Sequence, residues 1–220
     1  MWNMPNKYYN LTFDIGQGKK AIMIFLDSCI LDKNTEESFL EQEKWLKIVL
    51  ENHENDLNVV WKMVVVNIPI WSAGMIQGDN EELKKNIYPI LYEYKVDVVF
   101  VGKGNLMQHF VSRYENGKAQ EYKILPEGNY QCNNDIFDLY GQASDWIQGQ
   151  GLHEVLQGAG GRDLEFTCWN KTTSMADLVF SLNKYGFSEV YIDTEKLQVN
   201  YFVLGQTQAI YSARIFKFYY

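Results

Sequence analysis

Three short apolar runs constrain this chain most: Ala21-Ile22-Met23-Ile24-Phe25-Leu26, Met63-Val64-Val65-Val66, and Val96–Val101, interrupted only by Asp97. They have strand length and lack the polar–apolar alternation of a strand with one wet face, so they read as strands buried on both sides. Each stops at a polar or glycine-rich connection: Asp27-Ser28, Asn67-Ile68-Pro69 and Gly102-Lys103-Gly104-Asn105. Helical periodicity fills the gaps. Residues 35–56 carry Trp45, Leu46, Val49 and Leu50 on one stripe that Leu57 continues. Asp79 with Glu82 has the spacing of a capping box, followed by a stripe of Leu83, Ile87, Ile90, Leu91 and Tyr94 that Pro89 should disrupt. Strand, helix, strand, helix, strand predicts right-handed βαβ units and a parallel sheet, hence an α/β fold.

The flanks differ. Residues 11–14 and 21–27 read as strands around a Gly16-Gln17-Gly18 turn. Residues 113–151 lose periodicity and gain Gly, Gln, Asn and Asp, which reads as an insertion with one short helix near 134–147. After it, His153–Gln157 leads into Gly158-Ala159-Gly160-Gly161, and strands near 187–193, 198–204 and 208–217 read as an antiparallel meander. Residues 1–220 are taken as a single domain.

Composition narrows the function. With 46% hydrophobic and 15% aromatic residues in 220, the chain can build a sizeable core. Its 20 basic and 28 acidic residues give a net charge of −8, which argues against a nucleic-acid or anionic-membrane surface. No stretch reaches the ~18 to 20 apolar residues needed to span a bilayer. Met1–Tyr9 has neither the basic nor the apolar region of a signal peptide and reads as the middle of a longer protein. Cys29, Cys132 and Cys168 show no CxxC spacing; Cys29 reads as a buried thiol, and Cys132 with Cys168 could pair only in an oxidising compartment. The sequons at Asn10 and Asn170 matter only in a secreted protein.

Ligands of open α/β sheets gather beyond the carboxyl ends of the strands. This chain places Asp27, Asn67, Lys103 and Asn105 there, with Gly102 and Gly104. That set lacks the paired carboxylates, imidazoles or activated nucleophile of a hydrolase. His53, His109 and His153 have no metal-ligand spacing. Gly158-Ala159-Gly160-Gly161 lacks the Lys-Ser/Thr of a phosphate loop and reads as a tight connection. The aromatic tail from Ile210 to Tyr220 reads as packed sheet rather than a base-stacking surface.

One ordered set of residues nonetheless resembles a known family. Trp2-Asn3-Met4-Pro5, Tyr8-Tyr9, Phe25-Leu26-Asp27, Gln42-x-x-Trp45-Leu46, Pro69-Ile70-Trp71-Ser72, the Gly102 loop, Gly158-Ala159-Gly160 and the final meander occur in one order. Together they resemble the C-terminal half of a tartrate-resistant-type purple acid phosphatase, within the calcineurin-like metallophosphoesterases. The resemblance implies an α/β/β/α sandwich whose dinuclear Fe, Zn or Mn centre hydrolyses phosphate monoesters. It also implies three histidine ligands from this half, one in a Gly-His-x-Pro-x-Trp-Ser segment and two in a Gly-His-x-His loop. Here those places hold Asn67, Lys103 and Asn105, and Gly161 stands where the family has an asparagine.

Neutral amides are weak metal ligands and an ammonium repels a metal. The expectation is therefore a catalytically inactive protein without a metal cofactor, acting as a structural or assembly subunit. One alternative is the C-terminal chain of an active acid phosphatase. Another is a metal-free anion-binding module in which Lys103 and the Gly102 and Gly104 amides hold the anion. Because the family's sheets draw strands from both halves, this half is expected to leave an apolar sheet face for a protein partner, such as a separate N-terminal half. The 113–151 segment is a further candidate contact. A family of this kind is mostly secreted, lysosomal or vacuolar, whereas an assembly subunit suits an intracellular organelle equally.

Overall fold

A computed structural model describes residues 4–29, 36–74, 76, 78–113, 143–167 and 176–217. Among the described residues, seven strands form the larger sheet: β1 (Tyr9–Gly16), β2 (Lys19–Phe25), β3 (Val59–Val66), β4 (Val98–Val101), β5 (Met107–Arg113), β7 (Gly151–Gln157) and β8 (Asp177–Leu182). Their order is β1-β2-β3-β4-β7-β5-β8. The middle of this sheet, β2-β3-β4-β7, is parallel, and antiparallel pairs flank it at β1-β2 and β7-β5-β8. The smaller sheet has the order β6-β11-β10-β9, from β6 (Ala143–Ile147), β9 (Gly186–Ile192), β10 (Lys196–Val203) and β11 (Tyr211–Phe216). The meander β9-β10-β11 is antiparallel as expected, and β6 joins it parallel to β11.

The apolar runs do not alternate because each feeds two cores. Ile22, Ile24, Leu26, Val64, Val66, Val99 and Val101 pack with Leu46, Leu50, Leu83, Ile90 and Leu91 on the helical side. Ala21, Met63 and Val98, one residue out of phase, pack with Leu197, Val199, Tyr201, Tyr211, Ala213 and Ile215 of the smaller sheet. The described residues thus form three layers: helices, large sheet, small sheet. Trp61 ties the two sheets by donating its indole N–H to Asp193 O at 2.6 Å.

The first long helix, α1, spans Glu36–Glu54. The second helical stretch is two short helices, α2 (Glu81–Asn86) and α3 (Tyr88–Glu93), with Pro89 in the first turn of α3, where its missing N–H costs nothing. The cap of α2 is Asn80, whose side chain accepts from Leu83 N at 2.8 Å, not Asp79. Asp79 instead accepts from Ser72 N at 2.9 Å, because the loop before the helix needs that acceptor.

Other expectations change as well. Residues 143–147 of the expected helix near 134–147 are the strand β6, held by the β11 ladder, and 134–142 lie outside the described residues. Cys29 is exposed, not buried, because it falls in the turn after β2, where Asp27 Oδ1 accepts its N–H at 2.8 Å. Cys132, Cys168 and Asn170 lie outside the described residues, while Asn10 sits in the edge strand β1.

The outward face of the small sheet is mixed, with a polar ladder across its middle. Glu189, Asn200 and Ser212 form a cross-strand ladder, with Asn200 donating to Glu189 at 3.2 Å and Ser212 donating to Asn200 at 2.7 Å. Arg214 pairs with Asp145 beside them. An antiparallel sheet can face water in this way; the same face also carries Tyr191, Phe216 and Ile147, together with Phe187 and Phe202, which stack at its end. No helix of the described residues is long and apolar enough to cross a membrane.

Candidate functional site

The parallel strands β2, β3 and β4 bring Asp27, Asn67 and Gly102–Asn105 to one edge of the large sheet. Gly102 N donates to Asn67 O at 3.1 Å, and a Cβ at Gly102 would lie 3.3 Å from Asn67 Oδ1, so the asparagine side chain lies against the Gly102 loop. Lys103 is exposed on a left-handed backbone with φ of 67°. The Gly104 amide donates to Gly102 O at 2.9 Å, and the Asn105 amide donates to Glu165 Oε1 at 2.8 Å. The Gly102 and Gly104 amides are thus engaged inside the protein, which leaves Lys103 alone of the three groups that an anion would use.

Two amides and an ammonium do not fit a dinuclear metal centre. Among the described residues, no group of three or more His, Cys, Asp or Glu side chains could hold a metal ion.

The loop after β3 is fixed by buried acceptors. Glu154, fully buried in β7, accepts from Ile70 N at 2.7 Å and Trp71 N at 3.1 Å. Gln108 of β5 accepts from Ala73 N at 3.1 Å, and Glu165 Oε2 accepts from Ile76 N at 2.8 Å. Burial pushes the Glu154 carboxyl well above its ordinary value, against the opposing pull of the Ile70 and Trp71 amides. At the neighbouring strand end, Gln42 of α1 clamps Asp27 by accepting from its N–H at 2.8 Å and donating to its carbonyl at 3.2 Å. Gln42→Ala removes both bonds, and a loss of about 1–2 kcal/mol in urea denaturation is expected.

Gly158-Ala159-Gly160-Gly161 is a close-packing segment. Gly158 N donates to Leu106 O at 3.1 Å, Ala159 is buried in the inter-sheet core, and Gly158 lies directly against the Gly104 backbone.

Sequence spacing did not bring His109 and His153 together, but the fold does. They face the small sheet from β5 and β7, with His109 Nε2 at 3.0 Å from His153 Nδ1 and His109 Nδ1 at 2.8 Å from the Tyr211 hydroxyl. Glu154, Gln108 and Glu165 were also missed. The available signal was a carboxylate inside an otherwise strand-like run, Leu152-His153-Glu154-Val155-Leu156.

No protein-family model matches the sequence, and no curated protein matches it. Solved structures match the fold. GAP50, the anchor in the inner membrane complex of Plasmodium, superposes with a TM-score of 0.65 at 18% identity, covering 96% of this chain and 55% of that one. Purple acid phosphatase PPD1 from yellow lupin (Lupinus luteus) seeds superposes at 0.62 with 16% identity, covering 96% of this chain and 33% of that one. The chain therefore shares the mixed α/β fold of these two structures. The chain spans about half the length of GAP50 and a third of the phosphatase.

Proposed function

We propose that this chain is a non-catalytic, purple-acid-phosphatase-like scaffold that serves as a structural subunit of a protein assembly. The observation that carries this reading is the chemistry of Asn67, Lys103 and Asn105, which stand where the family resemblance calls for three histidine ligands. An exposed lysine between glycines opposes a divalent ion, and no carboxylate or imidazole cluster among the described residues replaces the lost ligands. The loop geometry is kept by Glu154, Gln108, Glu165 and Gln42, none of which needs a metal to do so. A fold held rigid at a former reaction edge suits a scaffold, and GAP50, of similar fold, is described as an anchor.

The test is elemental analysis and p-nitrophenyl phosphate hydrolysis on the native assembly. Substoichiometric iron, zinc and manganese with no turnover is expected. Stoichiometric metal with turnover would establish the phosphatase reading instead.

A further inference from the structure

The face of the large sheet that meets the small sheet contains a polar seam within an apolar interface. His153, His109, Tyr211, Ser144 and Trp146 form one hydrogen-bonded chain across β7, β5, β11 and β6. The imidazoles are stacked with centroids 5.3 Å apart and are essentially sealed, at 0% and 2% exposure. Their cover on one side is Trp146, whose ring stands edge-on 5.3 Å from His153 and 6.3 Å from His109. Trp146 belongs to β6, a five-residue strand that, among the described strands, is laddered to β11 alone and is half-exposed to exposed along its length.

We propose that β6 is an acid-released strand: protonation of the His109–His153 pair frees it from the seam and exposes the edge of β11.

The surroundings favour this direction. Arg113 of β5, 5.5 Å from the Trp146 ring centre and ion-paired to Asp177 at 3.0 Å, adds positive charge near the pair. Tyr211 of β11 and Tyr201 of β10 face the seam as neutral hydroxyls, β8 contributes uncharged Phe180, and Asp145 of β6 turns outward to Arg214. Among the described residues, no carboxylate in the seam stabilises an imidazolium. Burial holds both imidazoles below their ordinary range, His153 down to about 3, with Arg113 adding to the effect there.

Rings released to water regain a value near 6.5, so opening takes up protons and increases as pH falls, by about tenfold per pH unit for each ring. One carboxyl works the other way. Asp97, hydrogen-bonded to Gln148 just after β6, is raised to about 6 by burial. Its protonation favours the closed form as pH falls, so Asp97→Asn should steepen the response above pH 4.

Amide hydrogen exchange of the full chain at pH 7.5 and 4.5, corrected for intrinsic rates, tests the proposal. Residues 143–147 should open at least about 100-fold more at pH 4.5 while β2, β3 and β4 keep their protection. Unchanged protection of β6, or its loss together with β3 and β4, would overturn the proposal. The His109→Asn/His153→Asn variant should remove the response; a full response in that variant would also overturn it. Should that variant not fold, nitrogen NMR of the wild-type imidazoles decides. Imidazolium signals must appear at the same midpoint as β6 release, and rings still neutral when β6 is open would refute it.

Discussion

Gly158→Ala is expected to cost at least about 3 kcal/mol and to leave little soluble folded protein. A Cβ at this position would lie 1.4 Å from Gly104 O and 2.5 Å from Gly104 C. Those atoms are backbone, so no side-chain rotation relieves the overlap. The backbone also has little room to move. Gly104 N is bonded to Gly102 O, Asn105 N to Glu165, and Gly158 N to Leu106 O. Gly160→Ala is the control: a Cβ there meets nothing within 4 Å, so its stability should stay within about 0.5 kcal/mol of wild type. Urea denaturation of the two variants separates close approach from a general intolerance of side chains in this segment. Equal midpoints would show that the segment does not pack as described. The result also bears on the site, because the loop that Gly158 abuts is the one that presents Lys103.

The parallel core was legible because two-sided burial removes the polar alternation, leaving Ala21–Leu26 and Met63–Val66 as unbroken apolar runs. The meander was legible for the opposite reason: β10 alternates buried and half-exposed residues along its whole length. The position of Asn67 and Lys103 followed from parallel topology alone, since carboxyl ends of adjacent parallel strands meet at one edge.

What stayed hidden were strands whose buried residues are polar. β5 holds Gln108, His109 and Ser112 fully buried, each satisfied by a partner far away in sequence: Ala73 and Ser181, His153 and Tyr211, and Tyr88. A local reading sees those side chains as loop chemistry, because only tertiary contacts meet their hydrogen-bonding needs. β6 was hidden for a different reason: it is half-exposed, with polar Ser144 and Asp145 beside one tryptophan.

Glu154 carries the second large effect. Glu154→Ala is expected to cost about 3–5 kcal/mol, because it strands two buried amides, those of Ile70 and Trp71, without acceptors. Glu154→Gln is the informative partner. Its amide nitrogen cannot accept, so one of the two N–H groups is left without a bond, and about 1–3 kcal/mol should be lost. The two variants should also differ in pH dependence. Burial raises the wild-type carboxyl well above its ordinary value, so the folded state binds a proton more readily than the unfolded chain. That contribution is complete below the unfolded value near 4.5 and is lost as pH rises through the folded one. Neither Gln nor Ala titrates, so both variants should lack this decline, and their deficit relative to wild type should shrink as pH rises from 4.5. Denaturation midpoints measured across that range check the sign. A deficit that grows with pH would mean that the carboxylate is better stabilised folded than unfolded, and that the two amides outweigh burial. Either way, the loop bearing Asn67 should lose amide protection over residues 68–74 in Glu154→Ala, because its anchor is a side chain of the sheet beneath it.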